Sequence, residues 1–437
     1  MTDPRAADAG AGVSADAGSI HDHPLRVALS EEMHVRRLPR LAAPCRLMQI
    51  VTVLGEDAVR AARDHIERLI HTAAVVVPAS AKYAVLALDD VTLVWERHSE
   101  FATYTLIRPG DWSSDHGEPF DPAHFDPVLA VVRAGLPGAI IRATQIALLP
   151  DMNDPPRVDL ARWFADEATV VCDVANGAAR ITSDFRLNAD GYGRLLVRDL
   201  GLQRDEPAQL ILRLQELGNY RNMALLGLPL AQGLTPAVSD LEARLATLTH
   251  AVSQPHSQDD ELLDRLTALS AELARLVAET RYRMSATRAY AQLSIDRLAS
   301  LKIGAVRGYQ TLDDFTERRL MPAVRTCDSF SARLEDLSQR AAWTSGLLRT
   351  RIEIALARQN RDLLESMDRR THLQLRLQQT VEGLSVVAIS YYLVGLIGYL
   401  LGAVHGVPHD ASMAIAVPIV IGCVALALRW ARRHVMK

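Results

Sequence analysis

GLSVVAISYYLVGLIGYLLGAV (Gly383–Val404) and MAIAVPIVIGCVALAL (Met413–Leu428) decide the architecture of this chain. The first runs about 22 residues without a formal charge, enough for a helix to cross the ~30 Å hydrocarbon core of a bilayer. The second has about 16 residues, near the lower limit for a span, and Ala411 and Ser412 extend it. Either stretch alone could be the core helix of a soluble domain. Together, with basic flanks, they predict a C-terminal two-helix transmembrane hairpin over residues 383–437.

The flanks predict its orientation. Arg369, Arg370 and Arg376 precede the first span, and Arg429, Arg432, Arg433 and Lys437 follow the second. The intervening His405–Asp410 loop has no Lys or Arg. Positive residues stay on the cytoplasmic side, so both termini are expected in the cytoplasm, with the membrane crossed twice. Residues 1–22 are rich in Ala, Gly and Asp and lack the apolar run of a secretory signal; a disordered N-terminus is expected. Inside the first span, Gly398 and Gly402 would let a second helix approach closely, most simply the other span of the same hairpin. Glu382 lies at the membrane boundary. With Tyr391 and Tyr392 it would line a pore if several copies met there.

Working back from the hairpin, 437 residues leave room for a core-bearing domain and an extended helical part. A net charge of −4, with arginines scattered among acids, gives no reason to expect nucleic acid as a partner. Cys45, Cys172, Cys327 and Cys423 lie far apart without C-x-x-C spacing, which disfavours zinc and redox motifs.

Residues 23–202 alternate strand and helix patterns and are predicted to form a cytosolic α+β head. Arg46–Leu54 reads as a strand and Asp57–Ile70 as a helix. Tyr83–Leu88, Thr92–Glu96 and Phe101–Ile107 are strands, a helix lies near Pro127–Ala134, and Ala139–Leu148 is a strand. That β-α-β-β-β-α-β order is a ferredoxin-like pattern with one added strand. A second β unit follows: Thr169–Val174, a turn at Asn176-Gly177, Ala179–Arg186, then Arg194–Val197. After Gly201 the strands cease.

Residues 203–258 read as a helical connector interrupted at Gly227-Leu-Pro229, and 259–382 as a coiled-coil-like stalk. Leu262, Leu266, Leu269, Leu273 and Leu276 fall on one seam, which decays at Thr280, Arg283 and Thr287. Gly304, Gly308 and Thr311 mark a turn, after which Phe330, Leu334, Leu337, Ala341 and Leu348 resume the stripe. The simplest arrangement is an antiparallel helical hairpin, 259–303 against 325–380, running into the first span.

Two polar clusters are candidate sites. His23, Arg26, Glu32 and His34 combine two imidazoles, a carboxylate and a cation, though without the spacing of a metal-binding helix; a capped helix with surface charge explains them equally. Glu96, Arg97 and His98 lie on a predicted hairpin. On a straight strand Glu96, His98 and Glu100 would share a face, either as solvated pairing or as a polar pocket against the Arg26 segment. The Asp111–Asp126 loop carries His116 and His124 among acids, but not in the order of a calcium loop. No nucleophile elbow, phosphate loop or dinucleotide fingerprint is present. We therefore expect no enzyme activity, no cofactor and no resident metal.

HPLRVALSEEMH (23–34), WERHSEF (95–101), YRNMALLGLPLA (220–231), RRLMPAVRTC (318–327) and LQLRLQQTVEGLSVVAISYYLVGL (373–396) resemble a bacterial, largely proteobacterial, family of membrane-anchored proteins carrying domain of unknown function 3422. The family has His-Ala-Arg-Pro where this chain has His34-Val35-Arg36-Arg37. The resemblance implies architecture and no activity. The expected function is a membrane-anchored interaction or scaffold module, non-enzymatic and homo-oligomeric, with the lipid bilayer and an unidentified protein as partners. The alternative is a CorA-like divalent-cation channel or transporter. The segment after the first span, Gly402-Ala-Val-His-Gly406, lacks the Gly-Met-Asn filter of that class.

Overall fold

The computed structural model describes residues 23–26, 29–30, 38–55, 58–73, 82–110, 119–151, 157–165, 169–254, 258–402 and 409–435. The expected disordered terminus 1–22, Glu32, His34 and the 111–118 part of the acidic loop lie outside the described residues. The chain divides into two units. The first comprises residues up to Ala246 together with Ala268–Gln339; the second comprises Thr247–Thr267 together with Arg340–Lys437.

The first unit is built on a mixed sheet. Its strands are β1 (Cys45–Val53), β2 (Tyr83–Leu88), β3 (Val91–Arg97), β4 (Phe101–Pro109), β5 (Ala139–Pro150), β6 (Val170–Val174), β7 (Ala179–Ser183), β8 (Gly193–Asp199) and β9 (Gly304–Ala305). They line up as β2-β3-β4-β1-β5-β8-β7-β6-β9. Strand β1 is antiparallel to both neighbours, β4 and β5. The expected β-α-β-β-β-α-β order is present, with α1 (Ala58–Ala73) after β1 and α2 (Val128–Arg133) before β5. The second β unit forms no separate sheet, because parallel pairing of β5 with β8 splices the two together. Asn176, at φ 56°, makes the tight link between β6 and β7 that Asn-Gly predicts.

Both faces of the sheet are covered, which is why β1 is buried almost throughout, the polar Gln49 and Thr52 included. Even-numbered residues of β1, Met48 and Ile50, meet Ile66 and Leu69 of α1 and Val128 and Val132 of α2. Leu47, on the opposite face, joins Ile146, Val197, Ile211 and Leu214, the last two from α4 (Glu206–Leu225). Between β5 and β6 lies α3 (Arg157–Trp163), whose Trp163 packs with Phe120.

Three further helices continue the first unit: α5 (Gly227–Ser253), α6 (Asp259–Ser300) and α7 (Leu312–Gly402). The Gly227-Leu-Pro229 break is real but shorter than the sequence implies. Helix α5 starts at Gly227, since proline is tolerated in the first turn where its missing N–H has no intrahelical partner. Nor is 203–258 a mere connector. Leu241 and Leu245 of α5 are buried like Leu269, Leu273 and Leu276 of α6 and Phe330, Leu334 and Leu337 of α7. Arg244 reaches Glu272 at 2.8 Å, and Arg333 reaches Glu242 at 2.8 Å, tying α5 to both other helices. Gly227 sits so tightly on α6 that a Cβ there would fall 3.2 Å from Thr287 Cβ and clash with its Oγ1. The expected turn at 304–311 carries the short strand β9, which pairs Ala305 with Cys172 and extends the sheet beyond the point where strands were expected to cease.

In the second unit, α7 first runs beside the end of α5 and the start of α6. Leu248, Leu262, Leu266, Ala341 and Leu348 are buried there. Arg351 closes this packing by donating to the carbonyls of Val252 (2.6 Å) and Gln254 (3.0 Å) and by pairing with Asp259. Since Asp259 is the first residue of α6, the expected antiparallel partner for 325–380 runs out at 351. Every residue from 353 to 381 is exposed. Further on, α8 (His409–Val435) folds back along α7, with Met413 against Gly398 and Leu428 beside Val381 and Ser385.

Candidate functional site

Alternation along β3 and β4 fixes where the predicted polar residues go. Leu93, Trp95, Ala102 and Tyr104 face α1, so Glu96, Thr103 and Thr105 face α4 on the other side. Glu96 and His98 are brought together, Oε1 to Nε2 at 3.4 Å, and the His98 ring stacks on Phe101 at 4.1 Å. Gln49, Gln215 and Asn219 complete the polar lining of the small cleft beneath α4. The expected pocket partner, the Arg26 segment, is not among the residues lining this cleft, and α4 covers the face instead. His23 and Arg26 are exposed and do not line it, and His23 Nδ1 accepts only a local 3.2 Å bond from Leu25 N. Glu32 and His34 lie outside the described residues. Arg97 sits at the end of β3, its N–H bonded to the Lys82 carbonyl at 2.7 Å.

Glu100 does not share the Glu96 face, because the chain turns at His98–Ser99 before β4. It is buried against α6 instead, accepting from Arg283 at 2.9 Å, with the Arg283 charge and the Tyr282 and Tyr290 side chains in its electrostatic surroundings. Burial, then the Glu100 carboxylate, raise the Tyr290 pKa. Glu100 thus fastens the β3–β4 turn to the helices. Among the described residues no group of three or more His, Cys, Asp or Glu side chains is placed to hold a metal ion. Cys45, Cys172 and Cys327 are buried free thiols. Burial raises Cys45 to about 12 and Cys172 to about 11, so neither supplies a thiolate nucleophile at neutral pH.

A larger cavity, about 210 Å³, lies where β5, β7 and β8 meet α4. None of its residues was expected from the sequence as a site residue, although Arg221 and Asn222 lie within the 220–231 stretch that carries the family resemblance. Arg142, Arg186, Arg194 and Arg221 line it together with apolar side chains, and no carboxylate does. Arg142 rises from β5 and lies across Gly218 of α4, where an added Cβ would come within 2.7 Å of the guanidinium. Its Nη1 donates to Gln49 Oε1 at 2.9 Å and Asn219 Oδ1 at 3.0 Å, both neutral. Arg221 stands over the rings of Phe185 at 4.9 Å and Phe315 at 6.0 Å. Burial, reinforced by Arg221, lowers the Arg142 pKa; burial, reinforced by Arg319, lowers that of Arg221. Both stay charged at neutral pH, because guanidinium does not deprotonate in proteins. A charge inside the apolar strand Ala139–Pro150 was the signal available in the sequence; its partner on α4 lies too far along the chain to be paired by pattern.

In the second unit the last part of α7 and α8 are each long and apolar enough to cross a membrane. Gly398 faces Met413, whose Cε would lie 3.2 Å from a Cβ at that glycine. Gly402 ends α7. Tyr391 and Tyr392 point away from α8 and are exposed. Gln378 donates to Glu382 at 3.4 Å, and Glu382 lines a shallow groove with Ser385 and Leu428.

Fold and site together define a class: a mixed α+β head from which one unbroken helix continues into an apolar helical hairpin. Over residues 21–435 the chain matches, and belongs to, the family described as Protein of unknown function (DUF3422). No curated protein matches it. Among solved structures it is similar to the complete structure of CorA magnesium transporter from Methanocaldococcus jannaschii. That similarity is 13% sequence identity over 65% of this chain and 90% of the other, with a TM-score of 0.18. At that score the similarity carries no argument.

Proposed function

We propose that this protein is a membrane-anchored, non-enzymatic interaction module, held in the bilayer by the end of α7 and by α8. The observation that carries the reading is the uncovered apolar surface of these two helices. Leu384 is 72% exposed and Tyr399 83% exposed although α8 already packs on α7. In water such a surface is an aggregation liability; in lipid it is the solvent-facing side. Basic residues at both outer ends support an orientation with both termini in the cytoplasm.

Self-association is part of the proposal. Along the exposed stretch of α7, Leu356, Leu363, Leu377 and Leu384 share one heptad register that Arg370 interrupts, and Met367 and Val381 share the alternate register with the polar Asn360 and Gln374. That is the seam of a coiled coil lacking its partner strand, and a second copy supplies an identical one.

Alkaline carbonate extraction of membranes expressing the full chain tests the anchor. The full chain should remain in the pellet, and a chain ending at Glu382 should move to the supernatant. Full-length protein released by carbonate would end the proposal. Cysteines introduced as His409→Cys and Arg370→Cys should label from opposite sides of the membrane. A CorA-like channel, the competing reading, would instead show divalent-cation flux in liposomes.

A further inference from the structure

We infer that the cavity between β5, β7, β8 and α4 is a binding site for a small organic oxyanion, a carboxylate or phosphate group on a short apolar body, held between Arg142 and Arg221. Nothing in this inference depends on the membrane anchor.

The hydrogen-bond inventory carries it. A guanidinium has five N–H donors in a planar fork that matches an oxyanion in bidentate fashion. Arg142 uses the donors of Nη1 on two neutral amide oxygens, leaving those of Nε and Nη2 without an acceptor among the described residues. Arg221 makes no hydrogen bond to any described residue and only stacks on two phenyl rings. Several half-buried cations of the first unit meet a carboxylate: Arg283 meets Glu100, Arg297 meets Glu216 and Arg180 meets Asp173. Among the described residues Arg142 and Arg221 have no such carboxylate; both line the same cavity, where the Arg221 charge opposes that of Arg142 and the Arg319 charge that of Arg221. Two desolvated like charges around an open cavity are unfavourable unless an anion enters.

The remaining walls set the ligand class. Ile141, Ile181, Leu195, Leu214 and Leu217 make one side of the cavity apolar, and Ser183 and Asn222 add neutral polar groups. An anion with a short hydrocarbon body meets both halves, whereas a bare inorganic ion leaves the apolar half against water. Gly218 belongs to the same construction, because only a bare backbone lets the Arg142 fork lie across α4.

Thermal unfolding of the full chain in detergent, at constant ionic strength, tests the site with benzoate and phenyl phosphate as anionic probes and benzamide as the neutral control. A saturable rise in Tm of several degrees is expected with the anions and none with benzamide. Arg221→Met preserves the ring contacts and removes the charge; it should weaken half-saturation at least tenfold. Arg221→Lys keeps the charge but not the fork and should fall between the two. Isothermal titration of benzoate into the same protein provides a second reading independent of melting. The inference is overturned if neither anion binds, or if Arg221→Met responds as the parent does.

Discussion

Two stretches of α7 carry the same kind of leucine periodicity and meet opposite surroundings. In the first unit, Leu320, Leu334 and Leu337 are buried among helices of their own chain; in the second, Leu364 and Leu377 are each 67% exposed. The difference teaches that a hydrophobic stripe states a need for a partner without naming it. Where α5 and α6 supply that partner, the stripe is core. Past Arg351, where no described residue covers it, the same pattern faces outward; in the reading proposed above, lipid or another copy answers it.

The sharpest way to break this comparison is to truncate a leucine on each side. Leu337→Ala is expected to cost about 2 to 5 kcal/mol in denaturant unfolding of the detergent-solubilised protein, the range for a buried leucine whose site cannot collapse. A cost near zero would mean the buried stripe is not core. Arg351 marks the junction itself. Arg351→Ala should cost about 1 to 3 kcal/mol, because two carbonyls and a half-buried carboxylate lose a charged donor. Hydrogen exchange should rise at 247–262 and leave β1–β5 unchanged; uniform acceleration would argue against a local clamp.

A pH series separates the head from the exposed stretch. His65 is buried against the Tyr104 ring at 5.7 Å, and burial followed by the nearby Arg68 charge holds its pKa below 6.5. Below that pH the unfolded chain takes up a proton that the folded head refuses, so stability is full above 6.5 and falls as pH drops. The loss should grow as pH falls below 6.5 and level off once the folded-state imidazole also protonates, and His65→Gln should flatten the curve. An unchanged slope in that variant would place the acid sensitivity elsewhere. The smallest effect belongs to Leu363→Ala on the proposed seam, expected within about 0.5 kcal/mol of the parent, since this leucine is exposed. Its readout is cross-linking between copies, which should fall while melting stays put; unaltered cross-linking would move the self-association surface off this face.

Much of the fold was legible because local signals were strong. Period-2 alternation placed the strands of the head within a residue or two, and Asn176-Gly177 gave the β6–β7 turn. What stayed hidden depended on contacts distant in sequence. No pattern announces that β5 runs parallel to β8, or that residues 227–253 are a third bundle helix, since Gly227 and Pro229 look like a break when they are only a joint. The site was less legible than the fold. Glu96 and His98 do converge, but the turn before β4 sends Glu100 to α6, and alternation cannot foresee that. Arg142 and Arg221 escaped because each is ordinary in its own segment and unusual only beside the other.

Gly227 carries a constraint that related chains should record. With no room for even a methyl group between the start of α5 and Thr287, drift at this position is closed unless the facing threonine shrinks at the same time. Across the family, position 227 should therefore be glycine almost without exception, and any alanine there should be accompanied by serine, alanine or glycine at 287.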